Sequence, residues 1–239
     1  LAATEIMVVD DGSSDDTEGM IRRDFPEITY IRLPENRGAG PARNIGAAAA
    51  RGELLIFLDS DAIPEDQWLR HFLDADDGQT VLVGEIRDAE NGERQYGPRR
   101  STFLGKSLPC PKSWINMGPS GNLGVPKPFF QAVGGFDPKI PFHFEDSLLS
   151  FRLARRGTPF RYLSQAVIGH KGKTVRTGAA VAHLEHNSTF AMLGEYEHQP
   201  VMRRLFSFFN GLWVVFRMLV WTIRGRREDA RLLFEGWRQ

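Results

Sequence analysis

The chain has 239 residues, a formal net charge of zero and 41% hydrophobic residues, which is the composition of a soluble globular protein and not of a disordered one. Its balanced charge offers no basic surface for nucleic acid, so we expect no nucleic-acid partner. Cys110 is the only cysteine, which excludes a disulfide within the chain and fits a reducing compartment.

Strands alternate with helices from the start of the chain. Residues 6–9 predict a first buried strand, and the helix that follows stops before Pro26. Residues 28–33 predict a second strand, after which Pro41 lies near the start of an alanine-rich helix that ends at Gly52. This alternation is typical of βαβ units and predicts an α/β fold with a doubly wound sheet.

The run 54–58 lies at the centre of the predicted sheet. Five apolar residues follow one another without alternation, which is typical of a strand buried on both faces, and Asp59 and Asp61 come directly after them. Because side chains alternate along a strand, we expect both carboxylates to point to the same side. They lie at the carboxyl end of the strand, where open α/β sheets bind ligands, and they suit a hard divalent cation.

The second half continues this pattern less regularly. We expect Pro64 to open another helix and residues 80–86 to form a strand, whereas the charged, aperiodic stretch 87–114 predicts a loop. Further elements are predicted at the end of the domain: a strand at 122–125, a helix headed by Glu145 and Asp146, a strand at 160–168 that precedes His170, and a helix near 179–196. The segment 38–43 fails the GxGxxG pattern at its last position, which disfavours a dinucleotide-binding dehydrogenase.

Five segments together resemble the family-2 inverting glycosyltransferases, which have the GT-A fold. Each is weak alone, but their order and spacing are specific, and the resemblance spans about residues 5–171. The segments are Asp10-Asp11-Gly12-Ser13-Ser14-Asp15; Asn36-Arg37-Gly38 with Ala42-Arg43-Asn44-Ile45-Gly46; Leu58-Asp59-Ser60-Asp61; Gly134-Gly135-Phe136-Asp137; and Glu145-Asp146 with Arg152.

The resemblance implies a GT-A-type mixed sheet flanked by helices over residues 1–185, with a nucleotide-sugar-binding half at about 1–86 and an acceptor half at about 100–185. The first strand of that family has no counterpart here, so we expect a βα unit of roughly 30 residues to be missing at the front. The implied reaction is inverting transfer of a sugar from a nucleoside-diphosphate sugar, expected to be a UDP-sugar, to a hydroxyl of a glycan or lipid-linked glycan.

The resemblance also implies roles on the donor side. Asp10, with Asp11, would bind the nucleotide base, and Arg43 would lie near the nucleotide. Asp59 and Asp61 match the DxD motif and would hold Mg²⁺ or Mn²⁺, with Asp59 also placed at the ribose. His170 is a candidate third metal ligand, although a structural histidine is an equal alternative. The substrate-binding residues proposed from the sequence are Asp10, Asp11, Arg43, Asp59 and Asn122.

On the acceptor side, the Glu-Asp motif implies that Asp146 is the general base and that Glu145 orients the acceptor. Asp146 opens a predicted helix, where backbone N–H groups and the helix dipole favour the ionised carboxylate. The alternative is that Asp146 only caps that helix.

Two other functions stay open from sequence alone. A sugar-phosphate nucleotidyltransferase also uses two carboxylates and Mg²⁺, but Glu145-Asp146 and the segment 134–137 favour sugar transfer. A non-enzymatic, membrane-attached scaffold that binds nucleotide sugars is disfavoured by the complete DxD and Glu-Asp motifs.

Residues 186–239 are predicted to form a helical, membrane-associated tail. Residues 205–223 are almost wholly apolar and approach the roughly 20 residues that span a bilayer. Arg203, Asn210, Arg217 and Arg224 recur every seven residues and form one polar stripe on a helix. This stripe favours a helix that lies in the membrane surface over one that spans it, the alternative being a helix packed on the domain with its stripe exposed. We therefore expect a cytoplasmic protein that is peripheral on the inner face of the cell membrane.

Overall fold

The computed structural model describes residues 4–171 and 178–238. The chain divides into two units, of which the first comprises Leu1–Arg100 and Pro109–Lys171, and the second comprises Ser101–Leu108 and Gly172–Gln239. The predicted boundary at 185/186 falls inside a single helix, Gly178–Glu195, that belongs to the second unit.

Residues 7–170 form short strands and helices, all in the first unit except for residues 101–108. In chain order these are β1 (Met7–Asp10), α1 (Thr17–Asp24), β2 (Thr29–Arg32), α2 (Ala39–Ala49), β3 (Leu54–Leu58), β4 (Ala62–Pro64), α3 (Trp68–Ala75), β5 (Val81–Asp88), β6 (Arg94–Tyr96), β7 (Arg99–Ser101), β8 (Ser107–Pro109), a 3-10 turn (Lys112–Trp114), β9 (Asn122–Pro126), α4 (Lys127–Ala132), α5 (Glu145–Arg155) and β10 (Phe160–His170).

The central sheet of the first unit has six strands. Its order is β3-β9-β5-β10-β4, with β6 paired to β5. β5 and β10 run parallel, whereas the other pairs are antiparallel, so the sheet is mixed as predicted. β1 and β2 form a separate parallel pair.

β3 is covered on both faces, as its unbroken apolar run predicts. It lies at the edge of the six-stranded sheet, antiparallel to β9, and not at the centre as expected. Leu55 and Phe57 pack into one core with residues of β5, β9 and α5. Leu54 and Ile56 pack on the opposite face against a second core that contains Phe72 of α3. Burial on both faces explains why the strand shows no polar alternation.

Two local predictions are wrong. The helix expected to open at Pro64 begins only at Trp68, because residues 62–64 form the edge strand β4, a position that tolerates proline. The stretch 87–114, predicted to be a loop, contains β6, β7 and β8. These strands have three residues each, which is too short for an alternating pattern to be visible.

The second unit is helical. It contains α6 (Gly178–Glu195), α7 (Pro200–Ile223) and α8 (Arg227–Arg238) together with the hairpin tip 101–108. The apolar run predicted as one helix is α7, which is long and apolar enough to cross a membrane by those two criteria alone. α8 is a separate helix, because Gly225 adopts φ +76° and ends α7 with hydrogen bonds back to its last turn.

Candidate active site at the carboxyl end of β3

Asp10 ends β1 as a buried, ionised carboxylate. It accepts hydrogen bonds from the Ser13 N–H (2.7 Å) and from the Tyr30 hydroxyl, and the Arg32 guanidinium lies 3.6 Å away. Burial alone would raise the pKa of Asp10, but these hydrogen bonds and the charge of Arg32 outweigh burial and hold the pKa below its usual value. The result is a fixed negative charge that only accepts hydrogen bonds.

Asp11 holds the loop that leads into α2. Its two carboxylate oxygens accept hydrogen bonds from the N–H groups of Arg37 and Gly38, each at 2.7 Å. Gly38 has φ +96°, and a Cβ at this position would lie 2.6 Å from the Cβ of Pro141. Both observations tie Asp11 to the shape of the loop, and both of its oxygens already have a backbone partner.

Arg43 joins the two predicted halves of the site. Its guanidinium donates to the Asp59 carboxylate (2.5 Å) and to the Glu145 carboxylate (3.3 Å), and it lies over the Phe136 ring at 5.6 Å. The planar fork of an arginine presents separate N–H groups to the two carboxylates in a fixed geometry. The structure thus brings the DxD motif and the Glu-Asp motif together across one side chain.

Asp59, Asp61 and His170 converge as the sequence predicts. One potential ligand atom from each lies within 4.8 Å of the others, and Nε2 of His170 is 3.3 Å from Oδ2 of Asp61. Nδ1 of His170 is buried and has no hydrogen-bond partner within 4–171 and 178–238. Two carboxylates and an imidazole are a donor set that suits Mn²⁺ or Mg²⁺, so these side chains fit a divalent cation.

The geometry behind this convergence differs from the prediction. β3 ends at Leu58, and residues 59–61 form a turn closed by a hydrogen bond from the Ala62 N–H to the Asp59 carbonyl (3.2 Å). The two carboxylates therefore meet across a turn and not along an extended strand. β4 then pairs Ala62 with His170 of β10, which brings the imidazole to the carboxylates.

Glu145 and Asp146 open α5 in a half-buried position. Burial, and then the charge of Asp146, raise the pKa of Glu145 to about 7, although Arg43 acts in the opposite direction. Burial also raises the pKa of Asp146, and it outweighs the hydrogen bonds from Ser147, which favour the ionised carboxylate as expected at a helix start. Oδ1 of Asp146 accepts hydrogen bonds from the N–H (2.6 Å) and hydroxyl (3.1 Å) of Ser147.

The backbone before this pair is strained. His143 and Phe144 have φ values of +54° and +88°, in a region that residues other than glycine rarely adopt. Such outliers persist only where the surrounding structure holds them, and Phe144 is buried. The strain fixes the direction in which α5 leaves the loop, and with it the position of the two carboxyl groups.

Asn122 is a correction to the predicted substrate-binding set. Its side chain is fully buried, and its amide N–H₂ donates to the carbonyls of Glu85 (2.9 Å) and Ala166 (3.0 Å). Its carbonyl accepts a hydrogen bond from the Trp68 indole (2.9 Å). β10 has a register shift between Leu163 and Val167, so Asn122 satisfies a backbone group that the sheet ladder leaves free. Its position is in the core.

Sequence reasoning missed two residues that assemble the site. The Tyr30 hydroxyl holds Asp10, and the Asn44 amide bonds both the N–H (2.9 Å) and the carbonyl (2.7 Å) of Phe136. Asn44 follows Arg43 in the second motif, and Phe136 lies in the fourth. The sequence therefore held a sign of the Asn44–Phe136 contact, because each of the two motifs contains one partner.

Known proteins resemble this chain in sequence and in fold. The family model described as Glycosyl transferase family 2 matches residues 2–131. A pre-mycofactocin glycosyltransferase of Mycobacterium tuberculosis H37Rv is 32% identical over 187 residues, which cover 73% of this chain and 39% of that protein. The chain thus spans about two fifths of that relative's length.

Two solved structures share the fold. A crystal structure of GalNAc-T7 with UDP, GalNAc and Mn²⁺ has a TM-score of 0.58 at 19% identity, covering 72% of this chain and 38% of that one. The mannosyltransferase PcManGT from Pyrobaculum calidifontis, in complex with GDP-Man and Mn²⁺, has a TM-score of 0.56 at 16% identity, covering 97% of this chain and 76% of that one.

Proposed function

Because this chain belongs to glycosyl transferase family 2, we propose that it transfers a sugar, with inversion, from a nucleoside-diphosphate sugar to a hydroxyl of a glycan or lipid-linked glycan. A UDP-sugar is the donor we favour. The observation that carries the proposal is Arg43, which contacts Asp59 of the candidate metal site and Glu145 beside the candidate base. One side chain, Arg43, thereby contacts both a donor-side carboxylate and an acceptor-side carboxylate.

The donor roles follow from the chemistry of each group. Asp10 is a fixed acceptor that can take the imide N–H of a uracil ring. Of the structures compared above, one contains UDP and the other GDP-Man, so both bases are included in the test below. We assign Asp11 to the loop that it fastens, and Arg43 to the diphosphate or ribose side of the donor.

A divalent cation would be held by Asp59, Asp61 and His170. When bound, such an ion neutralises a diphosphate leaving group as a Lewis acid. The side chain of Asp61 is 51% exposed to solvent, which leaves its carboxylate open to a ligand. Both compared structures were solved with Mn²⁺, and an imidazole ligand favours Mn²⁺ over Mg²⁺.

Asp146 is the general base in this proposal. The acceptor oxygen attacks the anomeric carbon, the bond from that carbon to the diphosphate breaks, and the hydroxyl proton passes to Asp146. Both hydrogen bonds that Asp146 accepts from the described residues fall on Oδ1, so Oδ2 is the oxygen assigned to the acceptor. The raised pKa of Asp146 brings it towards the working pH, which improves a general base.

The same proposal places the enzyme on the inner face of the cell membrane, as a peripheral protein of the cytoplasm. It is supported by the apolar helix α7 in the second unit. A lipid-linked acceptor would be presented at such a surface.

The test is a product analysis with the full chain. The protein is incubated with UDP- and GDP-sugars, Mg²⁺ or Mn²⁺, and glycan acceptors, and the released phosphates are separated. Release of nucleoside diphosphate supports sugar transfer, whereas pyrophosphate would indicate a nucleotidyltransferase and no product would indicate a binding scaffold. Asp61→Ala, compared with Asp66→Ala in the nearby loop, should abolish turnover, and full activity in excess chelator would contradict the metal assignment.

A further inference from the structure

Helix α7 carries many of its large apolar side chains on the outside. Six of them lie three, four or seven residues apart and so share one helical face, which we call the outward face: Val201, Phe208, Leu212, Phe216, Leu219 and Ile223. All six are more than half exposed, and Ile223 is 83% exposed. At 1.5 Å per residue this face is about 33 Å long, which is far more continuous apolar surface than scattered exposed residues give.

Two polar side chains in the middle of α7, Asn210 and Arg217, face inwards. Arg217 donates to the buried carboxylate of Glu185 on α6 (2.6 Å), and Lys106 of the hairpin tip donates to the same carboxylate (2.5 Å). Asn210 is buried and donates to the Thr189 hydroxyl (3.0 Å). The middle of the predicted polar stripe thus has its hydrogen-bond partners inside the unit. This is the reverse of a helix on a water-soluble surface, which turns its polar face outwards.

Charge indicates what covers the outward face. Residues 200–227 contain six arginines and no aspartate or glutamate. Four exposed arginines flank the apolar face, Arg203 and Arg204 at one end and Arg224 and Arg227 at the other, while Arg226 pairs with Asp229 (2.6 Å). Pairing α7 with α7 of a second copy, in either direction, would place arginines against arginines without a carboxylate. Anionic lipid headgroups complement both the charge and the apolar surface.

The orientation follows from α8. Val214 and Trp221 of α7 pack against Ala230 and Leu233 of α8 in one apolar cluster. The opposite side of α8 exposes charged residues, namely Glu228, Arg231 and Glu235. If α7 spanned a bilayer, those charges would be drawn into the hydrocarbon, where they are costly. If α7 lies flat, its outward face enters the lipid and α8 stays in water.

We propose that α7 lies parallel to an anionic membrane, with its outward face in the boundary between headgroups and acyl chains and with α8 on the aqueous side. The hairpin tip extends this surface, since the exposed Phe103 ring packs edge-on against Phe209 of α7 at 5.9 Å. The inference rests on the membrane location proposed above and not on the transfer reaction. Vesicle binding and donor turnover can therefore fail separately.

Vesicle binding is the first test. The full chain is sedimented with phosphatidylglycerol vesicles and with phosphatidylcholine vesicles, and we expect binding to the former that weakens with salt. Leu212→Glu combined with Phe216→Glu should reduce binding at least tenfold. Phe25→Glu, the same change at an exposed apolar residue of the first unit, should leave binding unchanged. Circular dichroism and donor turnover of each variant confirm that it is folded.

The remaining outcomes decide against the proposal. If the double variant binds vesicles like the unmodified chain, or if the unmodified chain ignores anionic vesicles, the outward face is not a membrane surface. If sedimentation without lipid gives a dimer that the double variant dissociates, a second copy covers the face.

A depth measurement tests the orientation. In a Cys110→Ser background, Val201→Cys, Leu212→Cys and Ile223→Cys each receive a fluorophore that is quenched by lipids labelled at known depths. These positions lie along the outward face at equal spacing of about 16 Å. A flat helix gives three similar shallow depths, whereas a deep value at 212 with shallow values at 201 and 223 would show a spanning helix and overturn the proposal.

Discussion

Asp146 is the residue on which the proposed chemistry depends most directly. Asp146→Asn keeps the size of the side chain and the Oδ1 acceptor used by Ser147, so the variant should fold and bind donor normally. It cannot take a proton from the acceptor, and we expect the transfer rate to fall about 10²–10⁴-fold. Steady-state kinetics with donor binding measured separately gives both quantities.

Asp137→Asn is the matched control for this prediction. Asp137 lies in the segment between α4 and α5, and its carboxylate is paired with Arg152 at 2.9 Å, which gives it a structural role. Near wild-type transfer in the Asp146 variant, with a large loss in the Asp137 variant, would move the base to Asp137. Loss in neither would leave Glu145 as the next candidate.

Glu145 should make the stability of the first unit depend on pH. Its pKa is raised from 4.5 to about 7, chiefly by burial and then by Asp146, so between these values the folded protein keeps a proton that the unfolded chain has lost. The free energy of unfolding therefore falls as pH rises from about 4.5 to 7, and this contribution is constant above pH 7. The shift bounds the loss at about 3 kcal/mol.

Glu145→Gln removes this titration while keeping the shape of the side chain. The melting temperatures of the variant and of the unmodified protein are compared at pH 5 and at pH 8. We expect the variant to be more stable, relative to the unmodified protein, at pH 8 than at pH 5. Equal differences at the two pH values would show that Glu145 does not carry the raised pKa. Glu65→Gln, at an exposed position, controls for the loss of one charge.

At the scale of elements, Asn122 joins β5, β9, β10 and α3. Asn122→Ala leaves the Glu85 and Ala166 carbonyls and the Trp68 indole without their buried partner. We expect a loss of about 2–4 kcal/mol in the free energy of unfolding, measured by denaturant titration. Trp68→Phe removes only one of these hydrogen bonds and should cost less.

This prediction separates a core role from the substrate role first inferred for Asn122. A core role requires that the folded fraction of Asn122→Ala bind donor with unchanged affinity. If the variant is stable but binds donor poorly, Asn122 contacts the substrate after all.

Periodicity could predict the long elements but not the short ones. β3 and α5 were predicted because their apolar residues pack on buried faces and so leave a pattern in the sequence. β4 and β6 have three residues each and are fixed by pairing with β10 and β5, which no local pattern records. The convergence of Asp59, Asp61 and His170 was predictable from the motifs, whereas the turn that produces it was not.

The role of Asn122 could not be predicted for the same reason. An asparagine at the start of a strand is usually expected at the surface or in a site. Its need for burial arises from the register shift in β10, about 40 residues later in the chain. Only the assembled sheet shows the carbonyl that it satisfies.

For the whole molecule, the sequence predicted an α/β domain followed by an apolar helix, and both are present. It predicted the polar stripe of α7 but not the direction in which the stripe faces. That direction depends on Glu185 of α6 and on Lys106, which belongs to the hairpin tip within the stretch predicted as a loop. The helical periodicity of the sequence defines an apolar and a polar face of α7, but only the residues packed against α7 determine which face is buried.

The two units should therefore contribute separately to turnover of a membrane-bound acceptor. A chain held at the surface meets a lipid-linked acceptor at a raised effective concentration, an effect that commonly reaches about 10²-fold. We expect Leu212→Glu with Phe216→Glu to lower kcat/KM for a lipid-linked glycan in anionic vesicles by about that factor. With the same glycan free in water, kcat/KM should be unchanged, because neither residue belongs to the first unit. Phe25→Glu, measured in parallel, should leave both values unchanged. An equal loss of kcat/KM on both acceptors in the double variant would show that α7 acts on the catalytic unit and not through the membrane.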